Sequence, residues 1–182
     1  MRILNTLNNV SEKMSNANFT FIKNWADAIS RAFDIVESYF TSNLSDSCRF
    51  TDEGGIAIRV VNGTGSDSVK GSLVSASSSV DNEFILQSNE YDTFGIVYEN
   101  GIADGSACWV VISGVADVLI KNSTAITRGH VAIAADTDGR AISIAVPSSN
   151  PVEAQHFKEI GHFMESKNAG TDVLAKAVIH FN

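Results

Sequence analysis

The apolar residues of this chain change their spacing once, and this change divides the chain into two parts. Residues 17–44 contain no Gly or Pro and place apolar side chains at alternating steps of three and four. Downstream of Gly54-Gly55, apolar residues alternate singly with polar ones in short runs between turn residues. Steps of three and four match one face of an α-helix, whereas single alternation matches a half-buried strand. The sequence therefore predicts a helix followed by a β-rich domain.

The predicted helix is long and amphipathic. A heptad seam of this kind can pack on its own domain or on copies of itself. About two to three heptads are short for an autonomous coiled coil, so self-association would need help from the rest of the chain. We expect residues 1–50 to form a helical segment for oligomerisation or anchoring. Its apolar stripe comprises Phe21, Ile22, Trp25, Ile29, Ala32, Phe33, Val36, Tyr39 and Phe40.

Residues 55–182 carry about eight to ten short strand patterns with frequent turn signals, which is typical of a barrel or sandwich. The predicted fold is therefore mainly β, a small antiparallel β-barrel or sandwich preceded by one long N-terminal amphipathic helix. A hairpin is expected around Asp138-Gly139, and a last strand over 172–181. Residues 156–166 fit either a helix or a strand. Further strands are predicted over 56–61, 69–75, 84–87 and 94–99.

The longest strand pattern lies within residues 108–121. Its even positions, from Cys108 to Ile120, are all apolar or small and are expected to face one core. Gly114 interrupts the run, which indicates a bulge or bend where the strand turns a corner. Cys108 is expected to be an ordinary buried thiol.

Charge is distributed unevenly. Residues 1–50 hold five basic and five acidic side chains, so the remaining eight basic and sixteen acidic residues lie in 51–182. An acidic body repels a phosphate backbone, which argues against direct nucleic-acid binding. No apolar run approaches the length of about 18 residues that spans a bilayer, so a membrane location is not expected. We expect the protein to be synthesised in a cytoplasm.

Three segments suggest chemistry but have unsuitable spacing. In 61–71, Lys70 precedes Gly71 and a strand pattern, whereas a phosphate loop needs Gly-Lys-Ser/Thr opening a helix, so a hairpin turn is favoured. His156, Glu159 and His162 are separated by steps of three, which do not converge on a helix or on one strand face. Asp136 and Asp138 lack the other acidic ligands of a calcium loop, which favours a turn.

No nucleophile motif is evident either. None of the serines lies in a Gly-x-Ser-x-Gly elbow, and the two cysteines, Cys48 and Cys108, have no suitably spaced metal-ligand partners. The sequence therefore predicts a protein that is not an enzyme and that has no catalytic residues, no metal site and no cofactor.

Three segments, 58–74, 94–141 and 156–182, resemble virion structural proteins of tailed bacteriophages. The nearest pattern is that of small β-barrel capsid decoration, or cement, proteins, in which strand and turn motifs follow the same order. The resemblance covers about 55–182, whereas the N-terminal helix departs from the simple cement pattern. The matching residues are Gly114-Val115, Val118, Gly129, His130, Val131, Asp138-Gly139, Ile160-Gly161 and Ala169-Gly170.

The resemblance implies a protein that binds the capsid exterior and stabilises or decorates the head, as a homotrimer on the major capsid protein. Because of the extra helix, a head-fibre or tail-fibre subunit is the structural alternative. A carbohydrate-binding module is the alternative from another class, with a platform built from Tyr91, Phe94, Tyr98 and Trp109. The residues expected at an oligomer or capsid interface are Ile22, Trp25, Ile29, Phe33, Val36, Phe40 and Trp109.

Overall fold

A computed structural model describes residues 22–35, 46–88, 92–146 and 157–181. The chain divides into two compact units, Met1–Asp46 and Ser47–Asn182. In the first unit, residues 22–35 form a helix of about four turns. The described helix is thus short where a long one was predicted, and the rest of the predicted span, 17–21 and 36–44, lies outside the described residues. No helix in the described ranges has the length and apolar content needed to cross a membrane.

Within its described residues, the second unit consists of ten strands in one sheet, which confirms the mainly β prediction. The sheet order is β1-β2-β4-β3-β5-β6-β10-β9-β7-β8, with a further pairing between β2 and β6. The strands are β1 Cys48–Phe50, β2 Gly55–Asn62, β3 Leu73–Ala76, β4 Glu83–Leu86, β5 Gly95–Val97, β6 Ala107–Leu119, β7 Val131–Ala134, β8 Ala141–Ile144, β9 Glu159–Phe163 and β10 Leu174–Ile179.

Five of these strands form a closed circuit of hydrogen-bonded pairs. The circuit runs β2-β4-β3-β5-β6 and returns to β2. Four of its five pairings are antiparallel, as predicted, whereas β2 and β4 run parallel, which differs from the predicted antiparallel arrangement. The reason is topological: a closed ring with an odd number of strands cannot alternate direction throughout. β10, β9, β7 and β8 extend the sheet from the second half of β6.

The long strand β6 belongs to both halves of the sheet. Its first half pairs with β2, and its second half, from Gly114 onward, pairs with β10. In the register with β2, Ile56 lies opposite Ser113 and Ala57 opposite Val111, so Ile112 has no opposite residue. This bulge, next to Gly114 with φ of +85°, confirms the predicted irregularity.

Because of this bulge, the prediction that the even positions of β6 all face one core was wrong. Side chains of a strand alternate between faces, and one extra residue exchanges the faces. Before the bulge, Cys108 and Val110 face a small cluster drawn from the five ring strands, while the odd position Val111 faces the larger core. After it, even positions such as Val118 face that larger core. The even positions therefore face two cores and not one.

The ring strands β3 and β5 are buried on both sides. On β3, Leu73 packs in the larger core and its neighbour Val74 in the smaller one. On β5, Ile96 and Val97 divide in the same way. This double burial explains the near-continuous apolar runs in these segments, since strands covered on both faces lose the polar alternation.

The remaining sequence predictions have mixed outcomes. The hairpin around Asp138-Gly139 is confirmed as β7 and β8, and residues 156–166 contain a strand, β9. The predicted last strand is confirmed as β10, with Ala175, Ala177 and Ile179 buried. Residues 61–71 do not close a hairpin, because β4 lies between β2 and β3 in the sheet.

Candidate functional site

A charged network centred on Lys70 joins three parts of the β unit. Its ammonium group lies 2.9 Å from a carboxylate oxygen of Glu53 and 3.0 Å from one of Asp117 on β6. Lys176 on β10 approaches Asp117 at 3.2 Å. Burial is the largest single influence and by itself would raise the pKa of both carboxyls. The hydrogen bonds and the charge attraction to Lys70, joined by those to Lys176 in the case of Asp117, together outweigh burial, so the net pKa of each carboxyl is lowered. Lys70 is therefore committed to internal ion pairs, not to a phosphate.

The loop that carries Lys70 is held from within. The buried Asn62 amide donates to the carbonyl oxygens of Ser66 and Ile102, each at 2.8 Å. The Ser68 hydroxyl donates to the Glu99 carbonyl at 2.7 Å. These bonds hold the Gly-rich segment against the loop between β5 and β6. The segment that resembles a phosphate loop in sequence therefore has a structural role.

Arg49 on β1 covers the aromatic rings that a sugar platform would require. Its guanidinium carbon lies 4.4 Å from the Trp109 ring centre and 5.0 Å from that of Tyr98. The ammonium nitrogen of Lys70 also lies over the Tyr98 ring, 5.4 Å from its centre. Trp109 is only 9% exposed and packs in the larger core. Its ring therefore offers little surface to a glycan or to a protein partner. Tyr91 lies outside the described residues.

The described part of the β unit includes two recesses. One of about 140 Å³ is lined in part by Ser68, Phe84 and Arg140, and is smaller than the usual ligand pocket of about 300–1,000 Å³. A second, of about 310 Å³, is a shallow groove beside Ile58 and Val80. Neither of these two contains a described His or Cys side chain.

Asp136 pairs with Lys121 at the β7–β8 turn, as expected of a turn residue.

Among the residues that the structure describes, one set of metal-ligand side chains comes together. His162 Nδ1, His180 Nε2 and a carboxylate oxygen of Glu159 all lie within 4.8 Å of one another. The expectation that Glu159 and His162 would not converge was wrong, because β9 contains a bulge between them. His180 was not singled out, since only the pairing of β10 with β9 places it there. His156 lies outside the described residues.

The expected interface residues of the helix fall partly within the described range. Trp25 and Phe33 are 63% and 70% exposed, and Ile29 is 37% exposed. Ile22 is half-buried. Steps of four place Trp25, Ile29 and Phe33 on one side of the helix. Val36 and Phe40 lie outside the described residues. The helix thus presents an apolar stripe available for contact.

Comparisons with known proteins find similarity to solved structures. No protein-family model matches the chain, and no curated protein matches it. The N base of the head fiber gp8.5 of bacteriophage phi29 is similar to this chain with a TM-score of 0.48 and 16% identity, over 68% of this chain and 92% of that one.

Proposed function

We propose that the chain is a non-enzymatic structural subunit of a tailed-bacteriophage virion, made in the host cytoplasm and assembled into the particle. One observation carries this proposal: the residues that resemble virion proteins are those that build the fold. Gly114 adjoins the bulge of β6, Gly139 has positive φ in the β7–β8 turn, and Gly161 adjoins the bulge of β9. A resemblance concentrated at such positions indicates a shared scaffold.

Within this class, a head-fibre subunit is the first candidate. It is supported by the division of the chain into a helical unit and a β unit, which suits a stalk and a body. It is also supported by the exposed apolar stripe of Trp25, Ile29 and Phe33, which would pack between three copies of the chain.

A capsid decoration protein is the second candidate, and it is supported by the sequence resemblance to cement proteins. In that role each copy would bridge neighbouring subunits of the major capsid protein. An interface of about 1,600 Å² would give stable attachment, and attachment would stabilise the shell by mass action. In either role the excess of acidic over basic residues in 51–182 keeps particles apart in solution.

Localisation within the virion tests the proposal. Heads and tails of the phage that encodes the chain are separated, and each fraction is probed for the protein after a high-salt wash. The proposal expects the chain in the head fraction, retained at a fixed ratio to the major capsid protein. Recovery from the tail fraction would replace the head assignment by the tail-fibre alternative, and recovery only from the soluble lysate would overturn the structural role.

A further inference from the structure

A bulge in β9 places Glu159 and His162 on the same side of the strand. Residues three apart in a regular strand face opposite ways. In the register with β7, Ala132 lies opposite Gly161 and Ile133 opposite Glu159, so Ile160 has no opposite residue. The extra residue exchanges the faces, and a Glu159 carboxylate oxygen comes within 3.7 Å of His162 Nδ1.

Gly161 makes this bulge possible. Its φ is +148°, and a Cβ added there would lie 1.9 Å from the Val178 carbonyl oxygen on β10. No side chain fits at that distance from backbone. The close approach of β9 and β10 is therefore tied to glycine at this position.

His180 completes the group from the neighbouring strand. Val178 lies opposite His162 in the β9–β10 register, and the His180 amide donates to the Ile160 carbonyl at 3.1 Å. His180 Nε2 lies 3.3 Å from His162 Nδ1 and 3.4 Å from the same Glu159 oxygen. Three ligand atoms thus form a nearly equilateral triangle with edges of 3.3, 3.4 and 3.7 Å.

Two of these edges match those of a zinc site, and the third, between Glu159 and His162, is about 0.2 Å longer. Zinc binds His nitrogen and carboxylate oxygen at about 2.0–2.2 Å with tetrahedral geometry, which separates neighbouring ligand atoms by about 3.3–3.5 Å. We propose that Glu159, His162 and His180 form a binding site for one divalent transition-metal ion of the zinc class. Two imidazoles and one carboxylate suit such an ion, whereas Ca²⁺ and Mg²⁺ prefer ligands that are all oxygen.

The exposure of the three side chains fits a coordinated ion with one open position. Glu159 is 17% exposed, while His162 and His180 are 47% and 45% exposed, so solvent reaches the site through the two histidines. A water molecule takes the fourth position. The ion joins β9 to the residue that follows β10, and metal bound only by the folded chain raises its stability. This inference does not depend on the virion role.

Metal titration of the full chain tests the site. Untagged protein is stripped with a chelator and titrated with Zn²⁺ by calorimetry and with Co²⁺ by visible absorption. We expect one ion per chain and a Co²⁺ spectrum typical of nitrogen and oxygen ligands. His162→Gln, His180→Gln and Glu159→Gln should each weaken binding at least about tenfold, since losing even a hydrogen-bond partner of a ligand costs about 10–100-fold.

Two matched variants serve as controls. His130 contacts Ser143 in the β7–β8 hairpin and is not in the group, so His130→Gln should bind metal as the parent does. Glu165 pairs with Lys167 and is not in the group either, so Glu165→Gln should also bind metal as the parent does and is the control for Glu159→Gln. Unfolding midpoints measured in chelator show that each variant is folded. Absence of binding by the parent, a sulfur-to-cobalt band, or normal binding by folded His180→Gln would overturn the proposal.

Discussion

Gly114 on β6 lies directly opposite Gly55 on β2, where β6 passes from one half of the sheet to the other. A Cβ at Gly114 would lie 2.6 Å from the Gly54 carbonyl oxygen, and one at Gly55 would lie 2.6 Å from the Val115 carbonyl oxygen. Both atoms met are backbone atoms, which cannot rotate away. The two glycines therefore allow β2 and β6 to approach closely at the point where β6 leaves its pairing with β2 and pairs with β10.

Replacing Gly114 should destabilise the β unit strongly. Gly114→Ala places a side chain at positive φ, which costs about 1–2 kcal/mol, and adds the clash with Gly54. We expect urea unfolding to show a total loss of at least about 2 kcal/mol. Gly129→Ala is the control, because Gly129 also has positive φ, +79°, but has nothing within 4 Å of an added Cβ. Equal losses in the two variants would contradict the role assigned to the close approach.

Removing the Lys70 cation should destabilise the fold at neutral pH. Lys70→Gln leaves Glu53 and Asp117, whose side chains are 15% and 18% exposed, without their shared cation. We expect a loss of about 1–2 kcal/mol, below the cost for a fully buried pair because Lys70 is partly exposed. Lys167→Gln removes a more exposed pair with Glu165 and should change stability by less than about 0.5 kcal/mol.

The Lys70 effect should depend on pH. The pKa values of Glu53 and Asp117 are lowered from 4.5 and 3.8, so their contribution is present above these values and is lost as the pH falls through the folded pKa. The gap between parent and Lys70→Gln should therefore close below pH 3.8. The pKa of Lys70 is raised from 10.5, so its contribution persists up to that pH and is lost above it. A gap that stays constant from neutral to strongly acidic pH would exclude this network as its cause.

The two thiols should react at different rates. Burial raises the pKa of the Cys108 thiol, which is fully buried in the smaller core, whereas Cys48 on β1 is half-buried. Because the thiolate is the reactive form, we expect a disulfide reagent to modify Cys48 first and Cys108 only in denaturant. Cys48→Ser and Cys108→Ser identify which thiol is modified. Rapid modification of Cys108 in the native Cys48→Ser protein would contradict its burial.

The helix stripe should mediate self-association. Trp25→Ala and Phe33→Ala remove exposed aromatic side chains, which are favoured anchors of interfaces, and should shift the molecular mass in solution toward the monomer. Ile35→Ala is a matched control, since Ile35 is 69% exposed and, two residues from Phe33, lies on another side of the helix. Sedimentation with all three variants at the mass of the parent would remove the stripe from the assembly.

Turn chemistry and strand alternation could be predicted from sequence because they are local. Asp138-Gly139 predicts its turn, and the spacing of Ala175, Ala177 and Ile179 predicts one buried face of β10. The two cores of β6 could not be predicted, since the register with β2 decides that Ile112 is the extra residue. His180 was missed for the same reason: it meets His162 only through strand pairing.

The copy number of the chain in purified virions, measured by quantitative mass spectrometry against the major capsid protein, tests the central claim most directly. We predict a fixed number of copies per particle that is a multiple of three, as a trimeric attachment on a symmetric shell requires. A number well below that of the capsid protein supports the head-fibre role, and one copy per capsid subunit supports decoration. Absence from washed particles, or a trace amount that varies between preparations, would contradict a structural role in the virion.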